Sequence, residues 1–313
     1  MAEEIAPRET YGKTLAALGK ENKDIVVLDA DLLPSTMTKY FRAEYPDRFF
    51  EVGIAEANMI GMAAGLAAAG KIPFASTFAV FATGRCFDQI RVSVAQAGLN
   101  VKIVSTHAGI TVGEDGMSHQ AIEDLALMCS LGGFTVIVPA DSVETEQAVR
   151  GVAAMEGPCY IRLGRPKVPV IHDESYKFEI GKAAQLRQGS DVTIIATGIM
   201  VAASLEAAAE LAKESLHCRV LNMSTLKPID EAAILRAAEE TGAIVTAEEH
   251  MEHGGLGSIV AQTVVRNHPV PMEIVALNRY AESGRPNELL QKYGLTSREI
   301  GVAVRKVLRR KAQ

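Results

Sequence analysis

The sequence predicts two doubly wound α/β domains, on three observations. Short β-branched runs alternate with longer Ala-rich segments of helical period, the pattern of a parallel sheet covered by helices on both faces. The alternation stops between Gly164 and Gly181, where Pro166, Pro169 and mixed charges leave no helical period. Beyond that break it restarts, so the chain divides into residues 1–165, a linker at 166–181, and residues 182–313.

In the first domain the strand candidates are Asp24–Leu28, Ile72–Ser76, Val101–Ser105, Phe134–Val138 and Cys159–Leu163. Helical period places helices near Thr10–Gly19, Glu56–Ala69, Arg85–Ala97, Ala121–Leu131 and Val143–Met155. In the second domain Val192–Ala196, Arg219–Leu221, Ile244–Ala247 and Met272–Val275 read as strands. Its helices fit Ala202–Lys213, Glu231–Glu240, Gly257–Asn267 and Thr296–Arg309. Ligands of an open parallel sheet bind beyond the carboxyl ends of its strands, so polar residues following strands carry most interest.

Composition narrows the function. Hydrophobic residues make up 48% and charged residues 22% of the 313, the balance of a globular protein. A formal charge of −6 gives no basic face for nucleic acid. The acidic start MAEEIAPRET lacks the layout of a signal peptide, and no run has the ~20 apolar residues of a membrane span. Four scattered cysteines (Cys86, Cys129, Cys159, Cys218) form no Cys-x-x-Cys pair. They argue for a reducing compartment, the cytoplasm, and against a disulfide framework or structural zinc.

Three stretches could carry chemistry. Glu56 stands where a glycine turn enters an almost wholly apolar helix in EVGIAEANMIGMAAGLAAAG. Burial there would raise the pKa of its carboxyl and favour proton exchange; a plain acid at a helix start, favoured by the macrodipole, is the alternative. The loop THAGITVGEDGMSHQ (106–120) gathers His107, Glu114, Asp115 and His119 among Gly109, Gly113 and Gly116. Such a loop suits hydrogen bonding to a polyhydroxylated substrate or, less well, a metal, or its side chains simply cap turns. In HMEHGGLGS (250–258) the glycines precede a helix that could receive an anion, but a tight strand-to-helix turn fits better. Arg8, Ser35, Arg162 and Arg165 lie outside strong periodic elements and include arginines suited to phosphate.

Taken together these residues resemble the C-terminal half of transketolases over essentially the whole chain. The resemblance runs through DADLLPS (29–35), GIAEANMIGMAAGLA (53–67), STFAVFATGRCFDQIR (76–91), THAGITVGEDGMSHQ (106–120) and IRLGR (161–165). It implies a thiamine-diphosphate-binding (pyrimidine) fold followed by a transketolase C-terminal-like domain, in a thiamine-diphosphate-dependent enzyme that transfers a two-carbon ketol unit between sugar phosphates. By position, Glu56 matches the glutamate that hydrogen-bonds the cofactor's aminopyrimidine. Phe78 and Phe81 match its aromatic pocket, with Phe81 the stacking ring, and Asp31 and Ile54 match residues beside the cofactor rings. His107 matches the histidine on the substrate hydroxyls and covalent intermediate, Asp115 the carboxylate that reads a sugar hydroxyl, and His119 a neighbouring histidine. Arg8, Ser35 and Arg165 match the sugar-phosphate clamp.

The sequence also departs from that family. Ala55 and Ala57 flank Glu56 where Arg and His are common, and Gly84 stands where an aromatic is frequent. The GIAE turn is closer to deoxyxylulose-phosphate synthases, whereas His107 favours transketolase, since the synthases typically carry arginine there. The Gly-Asp-Gly…Asn signature that holds Mg²⁺ and the diphosphate is not found; GEDG (113–116) belongs to the sugar loop. The expected partner is therefore a separate N-terminal subunit carrying the diphosphate and Mg²⁺, most simply in an α2β2 heterotetramer. The alternatives are the β subunit of a 2-oxoacid dehydrogenase E1, a synthase-like carboligase, and a non-catalytic assembly partner. The same sugar loop could serve pentose phosphates or a specialised catabolic ketose.

Overall fold

A computed structural model describes residues 3–312. Its first sheet has seven strands, in spatial order Thr225–Lys227, Thr135–Ile137, Cys159–Arg162, Lys102–Ser105, Ile72–Ser76, Ile25–Asp29 and Phe49–Glu51. All pairings are parallel except that of Thr225–Lys227 with its neighbour. The second sheet has five strands, in order Met272–Leu277, Ile244–Met251, Val192–Ala196, Cys218–Asn222 and Ala184–Arg187, with the last antiparallel.

The central strands are continuous apolar runs because helices cover both faces. Ile25–Asp29 and Val192–Ala196 are buried at every residue. Ile72–Ser76 and Val192–Ala196 have the bounds predicted for them, and the other predicted strands shift by one to four residues at an end. Periodicity did not reveal the edge strands Phe49–Glu51 and Ala184–Arg187, which are only partly buried and lack an apolar alternation. The predicted helix Arg85–Ala97 is broken into π-type turns at Phe81–Arg85 and Ile90–Ala95 around a short α-turn, Phe87–Gln89. Such turns recur at functional sites.

The segment after Gly164 is packed rather than loose. Val168–Pro169 pairs with Glu4–Ile5, and Phe178 and Ile180 lie against the first domain's core. Asp141 fixes the segment: one of its oxygens accepts from the backbone N–H of Ile171 and of His172, each at 2.8 Å. The strand Thr225–Lys227 belongs by sequence to the second domain yet extends the first sheet. One apolar cluster accordingly includes Leu28, Met59 and Val136 together with Leu221, Ile234 and Leu256.

A buried ion pair of the first domain also reaches the second, through a hydrogen bond to the Glu249 carbonyl. Arg162 donates to Asp124 at 2.8 Å and to the carbonyls of Ala121 and Glu249 at 3.0 and 2.9 Å. Its guanidinium points inward, so of the arginines singled out in the sequence Arg162 is not an anion ligand. Removing one partner of a buried pair leaves an unpaired charge, at a cost of about 3–5 kcal/mol. Arg162→Met is thus expected to lower unfolding free energy in urea by that order, and a loss within experimental error would contradict the pairing.

Candidate active site

Neighbouring parallel strands of the first sheet each deliver a candidate residue just past the carboxyl end. Phe49–Glu51 leads to Ile54 and Glu56, Ile25–Asp29 to Asp31 and Ser35, and Ile72–Ser76 to Phe78 and Phe81. Lys102–Ser105 leads to His107, and Cys159–Arg162 to Arg165. The sheet therefore places residues far apart in sequence along one edge, where an α/β fold binds its ligand.

Glu56 opens the helix Glu56–Ala68 and is only 2% exposed. It is not the lone desolvated acid that the sequence suggested. Nη1 of Arg85 donates to both carboxylate oxygens at 2.8 Å, and the same guanidinium lies 4.7 Å over the Phe81 ring. Arg85 lies inside the quoted STFAVFATGRCFDQIR stretch, but a partner 29 residues from Glu56 gives no local signal.

An aromatic row continues from there. Phe78 and Phe81 stack at 5.9 Å, Phe78 and His107 at 3.9 Å, and His119 meets Phe81 edge-on at 5.3 Å. His107 is buried and takes a left-handed backbone, φ 60°, as does Asp31 at φ 62°. Non-glycine residues in that region are uncommon and cluster at ligand sites. Nδ1 of His107 is 2.9 Å from the Thr106 hydroxyl. Burial, with Arg8, Arg165 and His119 nearby, pushes the His107 imidazole down to about 3, so it is neutral at ordinary pH.

Beyond His107 lies an open cleft of about 800 Å³, lined in part by Arg8, Thr111, Glu114 and Arg165. Arg8 donates to the carbonyls of Ser35 and Arg165 at 2.9 and 3.3 Å. Arg165 donates to the Val112 carbonyl and, at 3.2 Å, to Glu114. Burial first, and then the Arg165 guanidinium, hold Arg8 below the usual arginine range, with Glu9 acting the other way.

Some predicted residues stand apart from this row. Ile54 is 77% exposed, and Asp115 is exposed at the end of the 3₁₀ turn Ile110–Asp115. Asp31 is exposed too, its N–H and that of Gly53 both donating to the Glu51 carboxylate, at 2.7 and 3.2 Å. Glu51 was not legible as a site residue; it fixes two turns through backbone rather than facing the row. In HMEHGGLGS the helix start at Leu256 is filled from within: Glu248 accepts from the N–H groups of Leu256 and Gly257, each at 2.7 Å. That helix needs no external anion, in accord with the tight-turn reading. Among the described residues no three His, Cys, Asp or Glu side chains gather as a metal site, and no helix is long and apolar enough to cross a membrane.

Fold and site together define an α/β protein with a carboxylate and an aromatic seat at one sheet edge, beside a cleft that holds two arginines. The family described as "Transketolase, pyrimidine binding domain" matches residues 3–170, and "Transketolase, C-terminal domain" matches residues 181–300. The chain is 47% identical to the 6-deoxy-6-sulfo-D-fructose transketolase subunit SqwH of Clostridium sp. (strain MSTE9), over 97% of this chain and 95% of that protein. It is 46% identical to a putative transketolase C-terminal section of Methanocaldococcus jannaschii, over 94% and 93%. A solved structure described as a split gene transketolase, inactive beta4 tetramer, superposes with a TM-score of 0.93 at 52% identity, covering 98% of this chain and 99% of that one. The chain belongs to the transketolase family and carries its pyrimidine-binding and C-terminal domains.

Family membership implies dependence on thiamine diphosphate. The residues present fit one half of that group: an aromatic pair and a buried carboxylate suit an aminopyrimidine.

Proposed function

We propose that this chain is the C-terminal subunit of a split transketolase, active only with a separate N-terminal subunit that holds the diphosphate and Mg²⁺, most simply as α2β2. The observation that carries this reading is the one-sided seat. Glu56, Phe78 and Phe81 offer a pyrimidine its polar and aromatic partners, while Ile54, two positions before Glu56, stands 77% exposed. The relatives support it by their own descriptions, as a subunit, a C-terminal section and an inactive beta4 tetramer.

When bound, thiamine diphosphate supplies the nucleophilic carbon and the electron sink for breaking and making a carbon–carbon bond. Within this reading Phe81 stacks on the pyrimidine, Phe78 backs it, and Asp31 and Ile54 border the rings. Glu56 hydrogen-bonds a ring nitrogen and holds the proton there. His107, neutral and fixed through Nδ1 by Thr106, turns its other ring nitrogen to the sugar hydroxyls. Asp115 and His119 read further hydroxyls. Arg8, Ser35 and Arg165 grip the anionic end of the sugar and so align its carbonyl with the cofactor.

Sugar phosphates are the leading substrates of this clamp. A sulfonated ketose is the second reading, favoured by the 47% identity to the Clostridium subunit named for 6-deoxy-6-sulfo-D-fructose. Transfer from a series of ketose donors to an aldose phosphate by the reconstituted pair tests both. Arg8→Ala is expected to raise KM for anionic donors about 10–100-fold, the worth of a charged hydrogen bond, with kcat nearly kept. An equal rise for a ketose without an anionic end would remove Arg8 from the clamp. No transfer with any ketose donor would sink the proposal as a whole.

A further inference from the structure

The sugar loop of the first domain is held from the second. Glu249, near the end of the strand Ile244–Met251, reaches across to the loop and accepts from the Thr111 N–H at 2.7 Å. Its side chain is buried, and burial pushes its carboxyl up to about 7. Gly109 makes the approach possible. A Cβ there would fall 2.1 Å from the Glu249 carboxyl carbon, and the backbone adopts φ +81°. Farther along, Ser283 donates its hydroxyl to the Glu114 carbonyl, and Gln120 donates its side-chain amide to the Glu282 carbonyl at 3.0 Å. Pro286 closes on Gly113, 3.2 Å from where a Cβ would stand.

A loop with glycines at 109, 113 and 116 has many backbone conformations open to it. Fixing each residue costs about 1–2 kcal/mol of entropy, a cost borne on binding if the loop is not already ordered. We infer that Glu249 is a positioning residue and that the second domain is a splint, setting the loop that carries His107, Asp115 and His119 before the sugar arrives. The inference rests on the reading of 106–120 as the sugar loop. Its consequence is selective: sugar affinity depends on Glu249, whereas cofactor binding, made on Glu56, Phe78 and Phe81, does not.

The test compares Glu249→Ala, Glu249→Gln and Ser283→Ala. Hydrogen exchange on the chain alone reads the loop directly. Exchange at Thr111 is expected to quicken at least about ten-fold in Glu249→Ala, the loss of one charged hydrogen bond, and much less in Glu249→Gln, which keeps an acceptor oxygen. In the reconstituted pair Glu249→Ala is expected to raise the ketose KM about ten-fold at nearly constant kcat and unchanged thiamine diphosphate affinity, with Glu249→Gln restoring most of it. Ser283→Ala removes an exposed hydroxyl, leaves the core intact, and is expected to shift exchange and KM the same way by about three-fold, which keeps the test decisive should Glu249→Ala fail to fold. Unchanged exchange around Thr111 would overturn the splint. A parallel loss of sugar and cofactor affinity would reduce Glu249 to general stability and overturn it too. Faster exchange at unchanged sugar KM would instead overturn the assignment of 106–120 to the sugar, so the two failures are separable.

Discussion

Glu56→Gln is expected to lower the turnover of the reconstituted enzyme by about 10²–10⁴-fold, the range for a positioned proton-transfer group. The substitution keeps the length and shape of the side chain at the start of the helix Glu56–Ala68, so folding and subunit assembly should persist. What it removes is a buried carboxylate able to hold a proton against a ring nitrogen. It also removes the charge that Arg85 meets with two 2.8 Å contacts. Arg85→Gln helps separate the two effects, because it spares the carboxylate while removing its holder, together with the guanidinium over the Phe81 ring. Steady-state turnover with gel filtration of the assembled pair checks both variants. Near-normal turnover in Glu56→Gln would remove Glu56 from the proposed proton role.

His107→Ala is expected to reduce kcat/KM for the ketose about 10–1,000-fold without weakening thiamine diphosphate binding, since hydrogen bonds to a developing charge lose most when deleted. The pH behaviour is equally specific. His107 falls from an ordinary 6.5 to about 3 in the folded chain, through burial first and then Arg8, Arg165 and His119. The unfolded chain therefore binds more protons at this residue between those values. Its contribution to stability is complete above about 6.5 and is lost as pH falls toward 3. His107→Gln should accordingly flatten the fall of the urea midpoint between about pH 7.5 and 5, the span in which the unfolded imidazole takes up its proton. An identical fall in wild type and variant would contradict the neutral, buried imidazole.

Much of the fold was legible because burial on both faces writes apolar runs into the sequence. Ile72–Ser76 and Val192–Ala196 are such runs, and their bounds follow from composition alone. Phe49–Glu51 and Ala184–Arg187 sit at sheet edges, where half-exposed residues carry no such signature. Thr225–Lys227 was illegible for another reason: its pairing crosses to a sheet whose neighbouring strand, Thr135–Ile137, lies some ninety residues earlier.

The site divides in the same way. Phe78, Phe81 and the 106–120 loop follow strands that the sequence predicts, whereas Glu56 follows the unforeseen edge strand Phe49–Glu51 and was singled out by its apolar helix and the family resemblance. Arg8, Ser35 and Arg165 were grouped by the family resemblance, but the contacts that hold them together, Arg8 to the backbone carbonyls of the other two, are encoded by no motif. Arg162 looked equivalent to Arg165 and is not. Only Leu163 and Gly164 lie between them at one strand end, yet Arg162 turns to buried Asp124 and Arg165 to the open cleft. Glu249 and Arg85 act through partners distant in sequence, and only the fold brings those partners into reach.

Titration of thiamine diphosphate with Mg²⁺ into this chain, into an N-terminal transketolase subunit, and into their mixture tests most directly that the chain holds half a site. The expected result is tight retention only by the mixture, one cofactor per pair of subunits, with Phe81→Ala weakening it. Retention by this chain alone as tight as by the mixture, or no gain on mixing, would contradict the account.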